Sequence, residues 1–168
     1  MSKKARRAGR GSTPATLELE RAGIAFHTYE YEHSADHMDD GYGIEAARLL
    51  GIPEERVYKT LMADVGDEMV IGIVPVSGHL DLKALAAVVG AKKAAMADPK
   101  VAQRESGYVL GGISPLGQRT RMRAGRGGDA VGCDGVLVSG GKRGFGVGLA
   151  PKVVGAVLGA VTAPIRTR

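Results

Sequence analysis

The run Val57-Tyr58-Lys59-Thr60-Leu61-Met62-Ala63-Asp64 constrains this chain most, because its period of two is that of an extended strand. Alternation puts Val57, Lys59, Leu61 and Ala63 on one face and Tyr58, Thr60 and Met62 on the other. Gly66 and Asp67 then form a turn, and Met69 to Val76 supplies a second apolar run, which predicts an antiparallel hairpin and excludes a purely parallel sheet. Lys59 shares its face with three apolar residues. It must snorkel to solvent, meet an acid or project into a polar pocket, because an unpaired buried charge is costly.

Helical patterns flank the hairpin. Pro14 after Ser12 and Thr13 opens a short helix ending at Gly23, and Ile24 to Tyr31 reads as a strand. His33 to Gly43 reads as a long loop, with Tyr42 a candidate pocket lip between two glycines. Ile44 to Leu50 carries helical spacing, and Pro53 to Arg56 makes one capped turn. Asp81 caps a helix with apolar positions Leu82, Leu85, Ala86 and Val89. A short strand is expected over 92–97, a helix after Asp98-Pro99, and a strand over Tyr108 to Leu110 that runs into Gly111-Gly112-Ile113-Ser114-Pro115. Residues 119–132 read as loop. Val136 to Val138 and Phe145 to Leu149 are paired strands around Ser139-Gly140-Gly141, and Pro151 opens a last helix. At 168 residues the chain predicts one mixed α/β domain, with 1–13 as a basic disordered tail and 14–168 as the folded body.

Composition narrows the function. The hydrophobic fraction of 44% supports a core, whereas the absence of Trp and 4% aromatics argue against stacking on aromatic platforms. Removing Lys3, Lys4, Arg6, Arg7 and Arg10 leaves basic and acidic residues equal at 18 each, so the excess charge is terminal. Such a tail is a solvated end or a weak, salt-sensitive contact for RNA. No apolar run approaches the roughly 18–20 residues of a membrane span, and a cytoplasmic protein is expected. Cys133 is the one cysteine, so neither an intrachain disulfide nor a cysteine zinc cage is possible.

Common catalytic signatures are missing. There is no Walker loop and no G-x-S-x-G elbow, and Gly144, Gly146 and Gly148 are spaced G-x-G-x-G inside a strand pattern. His33 and His37 lack the intervening glutamate of an HExxH site. What remains is Lys59 and two glycine turns. In the pocket reading, the ammonium and the amides of Gly111 and Gly112 surround one substrate oxygen and stabilise charge developing on an attacked carbonyl.

The strings VYKTLM (57–62), LDLKALA (81–87), GAKKAAMADPKVAQRESGYVLGGISPLGQ (90–118) and VSGGKRG (138–144) resemble the YbaK/EbsC family. These are bacterial Cys-tRNA(Pro) deacylases related to the editing insertion of prolyl-tRNA synthetase. The resemblance spans about residues 14–160 and implies a mostly antiparallel sheet, curled or barrel-like, with helices outside. It implies hydrolysis of mischarged Cys-tRNA(Pro), or a lyase-type release of cysteine, in trans behind prolyl-tRNA synthetase. No cofactor, metal, membrane or DNA is implied. By motif it assigns Lys59, Gly111 and Gly112 to catalysis and Tyr31, Tyr42, Thr60, Pro115 and Ser139 to substrate binding. Where relatives carry an acid soon after KRG, this chain reads Phe145-Gly146-Val147. Deacylation of Ala-tRNA(Pro), or binding of an acceptor end or a synthetase without hydrolysis, are the alternatives.

Overall fold

A computed structural model describes residues 12–32, 42–127, 135–162 and 164–167. Its helices are α1 (Pro14–Arg21), α2 (Tyr42–Leu50), α3 (Leu82–Val88), α4 (Pro99–Ser106) and α5 (Pro151–Leu158), with a 3-10 turn at Glu54–Arg56. Its strands are β1 (His27–Glu30), β2 (Tyr58–Asp64), β3 (Met69–Pro75), β4 (His79–Leu80), β5 (Ala95–Met96), β6 (Arg123–Arg126), β7 (Val136–Lys142), β8 (Phe145–Leu149), β9 (Val161–Thr162) and β10 (Arg166–Thr167). None of the described helices is long and apolar enough to cross a membrane. Residues 1–11 of the basic tail, His33, His37 and Cys133 lie outside the described residues, whereas Thr13, expected in the tail, is the buried N-cap of α1.

The strands form a five-stranded sheet ordered β5-β2-β3-β6-β9, a three-stranded sheet β1-β8-β7 and the pair β10-β4. Pairing is antiparallel except where β6 runs parallel to β3 and β9. Three separate sheets correct the barrel-like expectation: the described strands close no ring. A parallel bridge, Val57 to Leu137, is what connects the two larger sheets.

Alternation along the hairpin distributes its side chains as expected. Tyr58, Ile71 and Ile73 pack with Leu19 of α1, Leu116, Val138, Val147 and Val154 of α5. Ala63, Val70 and Val74 pack on the other side with Leu85, Val89 and Ile165. The central sheet is thus buried on both faces, which fixes the register Lys59 to Val74 and Thr60 to Ile73, since a slip by one residue would exchange the two faces.

Several expectations are corrected locally. The stretch expected to be loop contains β6, Arg123-Ala124-Gly125-Arg126, which lacks an apolar alternation. It fits because Gly125 sits against Leu85, where a Cβ would lie 3.0 Å from Cδ1. Tyr108 to Leu110 is a turn, not a strand. Gly107 ends α4 with φ +83, the Tyr108 hydroxyl donates to the Leu116 carbonyl at 2.6 Å, and Gln103 Oε1 accepts from the Leu110 amide at 2.9 Å. With the Tyr108 N–H donating to Ser106 Oγ at 3.1 Å and the Val109 carbonyl accepting from Gly112 N–H at 2.9 Å, backbone groups that a ladder would use are taken locally. Strand β7 runs on through Ser139-Gly140-Gly141 with a register shift between Ser139 and Lys142, so the hairpin turns at Arg143-Gly144. The Ile24–Tyr31 strand contracts to β1, helix α2 begins at Tyr42 instead of Ile44, and the strand expected over 92–97 is only β5.

Candidate functional site

Strand β2 is paired along the whole of one edge by β3, but its outer edge is paired only near its ends. Val57 bridges Leu137 at one end, while Ala63 and Asp64 pair with Met96 and Ala95 at the other. Val76 N–H donates to Val57 carbonyl at 2.8 Å and Val65 N–H to Glu68 carbonyl at 3.1 Å, so the odd-numbered residues of β2 bond to β3. Antiparallel pairing alternates, which turns the even-numbered residues outward. Met62 carbonyl accepts from Ala97 N–H at 3.0 Å on that outer edge, as the alternation requires. Thr60 therefore presents its N–H and C=O on the open stretch, and its Oγ1 is buried without a hydrogen-bond partner among the described residues. A polar group in that condition awaits one.

Around the open edge lies a cavity of about 500 Å³. Lys59, Thr60, Tyr31, Ser139 and Gly111 all line it, together with Tyr58 and a largely aliphatic wall. Lys59 is half-buried, and desolvation holds its pKa below the ordinary 10.5. No carboxylate lines the cavity among the described residues. Burial first, and then the charge of Glu45, raise the Tyr31 pKa, against a smaller opposing effect of a hydrogen bond with the Gly144 backbone. Glu45 is 1% exposed and sits on α2 between the lining residues Ile44 and Ala46. Ser139 Oγ accepts from the Gly141 N–H at 3.2 Å, which orients it on the bulged part of β7.

The glycine turn enters by division of labour. Gly111, at φ +84, lines the cavity, and its N–H donates to no acceptor among the described residues. Gly112 does not line it; its N–H is taken by Val109 carbonyl at 2.9 Å. A Cβ at Gly112 would meet Lys142 Cα at 2.7 Å, so this residue lets the turn lie directly on the β7–β8 backbone. Arg143 Nε fastens the same approach by donating to Leu110 carbonyl at 2.7 Å. Pro115 is buried behind the turn and away from the cavity. Tyr42 opens α2, and its side chain lies outside the described residues.

Sequence reasoning missed Tyr58, whose hydroxyl is buried, and the wall made by Met96, Ala97, Pro99 and Ala102. The Asp98-Pro99 cap was the available signal for that wall, since it fixes where α4 starts. Phe145 and Gly146, which follow the KRG motif, line the cavity, and a Cβ at Gly146 would press on Leu137 Cδ1 at 2.9 Å. The arrangement supplies an ammonium, a peptide N–H, three hydroxyl-bearing side chains besides Tyr58 and an exposed strand edge. Such a set can bind an acyl group and stabilise negative charge on its carbonyl oxygen.

Residues 41–124 match the aminoacyl-tRNA editing domain family. Over 158 residues the chain is 32% identical to a protein of Enterococcus faecalis provisionally named the Cys-tRNA(Pro)/Cys-tRNA(Cys) deacylase EbsC, covering 93% of this chain and 94% of the other. A crystal structure provisionally described as a trans-editing enzyme for prolyl-tRNA synthetase aligns with 23% identity, 92% and 96% coverage and a TM-score of 0.80. The structure of a hypothetical protein aligns with 19% identity, 92% and 100% coverage and a TM-score of 0.81. These two structures establish the shared fold.

Proposed function

Because the chain belongs to the aminoacyl-tRNA editing family, we propose that it is a trans-editing deacylase, releasing cysteine from mischarged Cys-tRNA(Pro) with prolyl-tRNA synthetase as its partner. One observation carries the reading: Lys59, Thr60, Ser139 and Gly111 converge on a single cavity. Lys59 and the Gly111 N–H stabilise the oxyanion, whereas Gly112 and Pro115 hold the turn in place. Thr60 accepts from the substrate's α-ammonium through its carbonyl and hydroxyl oxygens. Ser139 and Tyr31 complete the contacts to the acyl group.

With no carboxylate, histidine or cysteine among the described lining residues, the nucleophile of this proposal is the substrate's own thiol. Sulfur attacks the ester carbonyl, the carbon–ribose oxygen bond breaks, and the sulfur's proton ends on that oxygen. Water then opens the cyclic thioester to give free cysteine. Selectivity follows from chemistry, since a pocket alone separates such small side chains by only about 1–3 kcal/mol.

The test is incubation of the pure protein with Cys-, Ser-, Ala- and Pro-charged tRNA(Pro), with and without the synthetase. Release of cysteine alone is expected. Release of alanine would assign an Ala-tRNA(Pro) deacylase using water, and tRNA affinity with no turnover would assign a binding module, the reading favoured by the acid-free wall at Gly146. A second expectation concerns pH. An oxyanion-stabilising Lys59 must hold its proton, so kcat falls as pH rises through its folded pKa, and burial places that fall below 10.5. A pH–rate profile, corrected for spontaneous ester loss, that stays flat to that pH contradicts the role.

A further inference from the structure

Arg126 closes β6 and is 5% exposed, yet its Nε and Nη1 are buried without a hydrogen-bond partner among the described residues. Its strand is flanked on both sides, by Ile73 of β3 and Thr162 of β9, so the side chain has to leave the sheet across one face. Alternation gives it the face of Ala124, which packs with Ile71, Ile73, Val136, Leu149 and Val154. A guanidinium stays charged, so burial without a partner leaves a full positive charge beside an apolar layer. The one acid buried among the described residues is Glu45, on α2, whose neighbours Ala46 and Ala47 pack in a separate cluster with Val57, Val76 and Leu137.

Register shows what else lies at that end of the sheets. β3 and β6 both finish there, β2 starts there, and the bridge from Val57 to Leu137 brings the start of β7 to the same end. Val136 pairs with Leu149, so β8 finishes there too, and α5 starts from it at Pro151. Ala150 gives α5 no side-chain cap, and the amides of an uncapped helix start carry partial positive charge. Arg56, just ahead of Val57, donates through Nε to the carbonyl of Gly135, the residue before Val136, at 2.9 Å. Lys152 is exposed in the first turn of α5, and Glu54 and Glu55 are exposed on the 3-10 turn that ends in Arg56. Two guanidinium groups and an uncapped helix start thus share one end of the fold.

We propose that Arg126 is the centre of an oxyanion site, taking a phosphate-sized ion whose oxygens accept from its guanidinium nitrogens, with Arg56 and the first amides of α5 completing the positive surround. The site stands apart from the acyl cavity, whose lining includes neither Arg126 nor Arg56, and it does not depend on the deacylase reading. Thr60, Ile73 and Arg126 are register partners on three neighbouring strands, which puts the Arg126 backbone about 10 Å from the open edge of β2. Free phosphate and the phosphate of an RNA backbone present the same oxygens to it.

Titration calorimetry of the native protein with sodium phosphate, against sodium chloride of equal ionic strength, tests the site directly. Saturable binding of one phosphate per chain is expected, and at ten times the measured dissociation constant the thermal midpoint should rise by about 3–6 °C. Arg126→Met keeps the length of the side chain and removes its charge, so it should be the more stable protein in chloride and give no binding heat. Phosphate also stabilises folded chains by exclusion from their surfaces, an effect both proteins share, so the difference between them is the readout. Arg56→Met should weaken binding about tenfold, as the loss of one charged neighbour. No binding heat with the native protein, or the same heat with Arg126→Met, overturns the proposal. A methionine variant less stable than the native protein in chloride does so too, because the chain itself would then already satisfy the guanidinium. An uncharged acceptor helix that displaces phosphate upholds the site with RNA as the source of the oxyanion, and one that leaves phosphate bound upholds it with the free ion.

Discussion

Lys59→Ala is expected to reduce deacylation of Cys-tRNA(Pro) by about 10²–10³, the usual cost of removing one group that stabilises an oxyanion. The loss should fall on kcat, because in the proposed role the ammonium acts on charge that develops only as the carbonyl is attacked. A structural role for the lysine predicts the opposite of what its environment implies for stability. Desolvation lowers its pKa, so the unfolded chain binds that proton more readily than the folded one. The cost of charging Lys59 is therefore fully present below its folded pKa and is relieved as pH rises toward 10.5. At neutral pH, Lys59→Met should raise the urea midpoint while lowering turnover as far as Lys59→Ala does. Gain of stability with loss of activity separates a residue kept for chemistry from one kept for the fold. A methionine variant that is both less stable and still active would remove Lys59 from the mechanism.

Gly112→Ala is the second large effect. The added carbon would lie 2.7 Å from Lys142 Cα, 2.9 Å from its carbonyl carbon and 3.0 Å from the Arg143 nitrogen. All three are backbone atoms, so no side chain can swing aside. Overpacking of this kind costs about 1–3 kcal/mol. Relief requires the turn to lift off the β7–β8 hairpin, which carries the Gly111 N–H away from Lys59. Urea denaturation should show the lost stability, and kcat should fall by at least tenfold even at temperatures where the variant is fully folded. An alanine variant with native kinetics would show that the close approach does not position the turn.

Much of this site was legible because it lies on a strand whose faces are unambiguous. Lys59 among Val57, Leu61 and Ala63 left a choice between solvent, an acid and a pocket, and the glycines at 111 and 112 signalled backbone that side chains would forbid. Other features had no local sign. Strand β6 is short and carries two arginines, so only its position between β3 and β9 makes it a strand. Tyr108 to Leu110 has strand-forming residues, yet the αL cap at Gly107 and the Tyr108 hydroxyl bond to Leu116 hold it as a turn. The different duties of Gly111 and Gly112 depend on the backbone of residues 142–143, some thirty positions away. Closure of the sheet was likewise a tertiary matter: alternation fixes which face is buried but not whether the last strand meets the first.

The bridge from Val57 to Leu137 joins segments eighty residues apart in the chain. Contacts of such separation carry a large loop-closure entropy and slow the search for the native state. Tyr58 to Met62 of the cavity wall arrive with β2 and Leu137 to Ser139 with β7, so neither portion encloses the candidate site by itself. Turnover is consequently a property of the completed chain, and its first appearance during refolding dates the moment when the two sheets come into alignment.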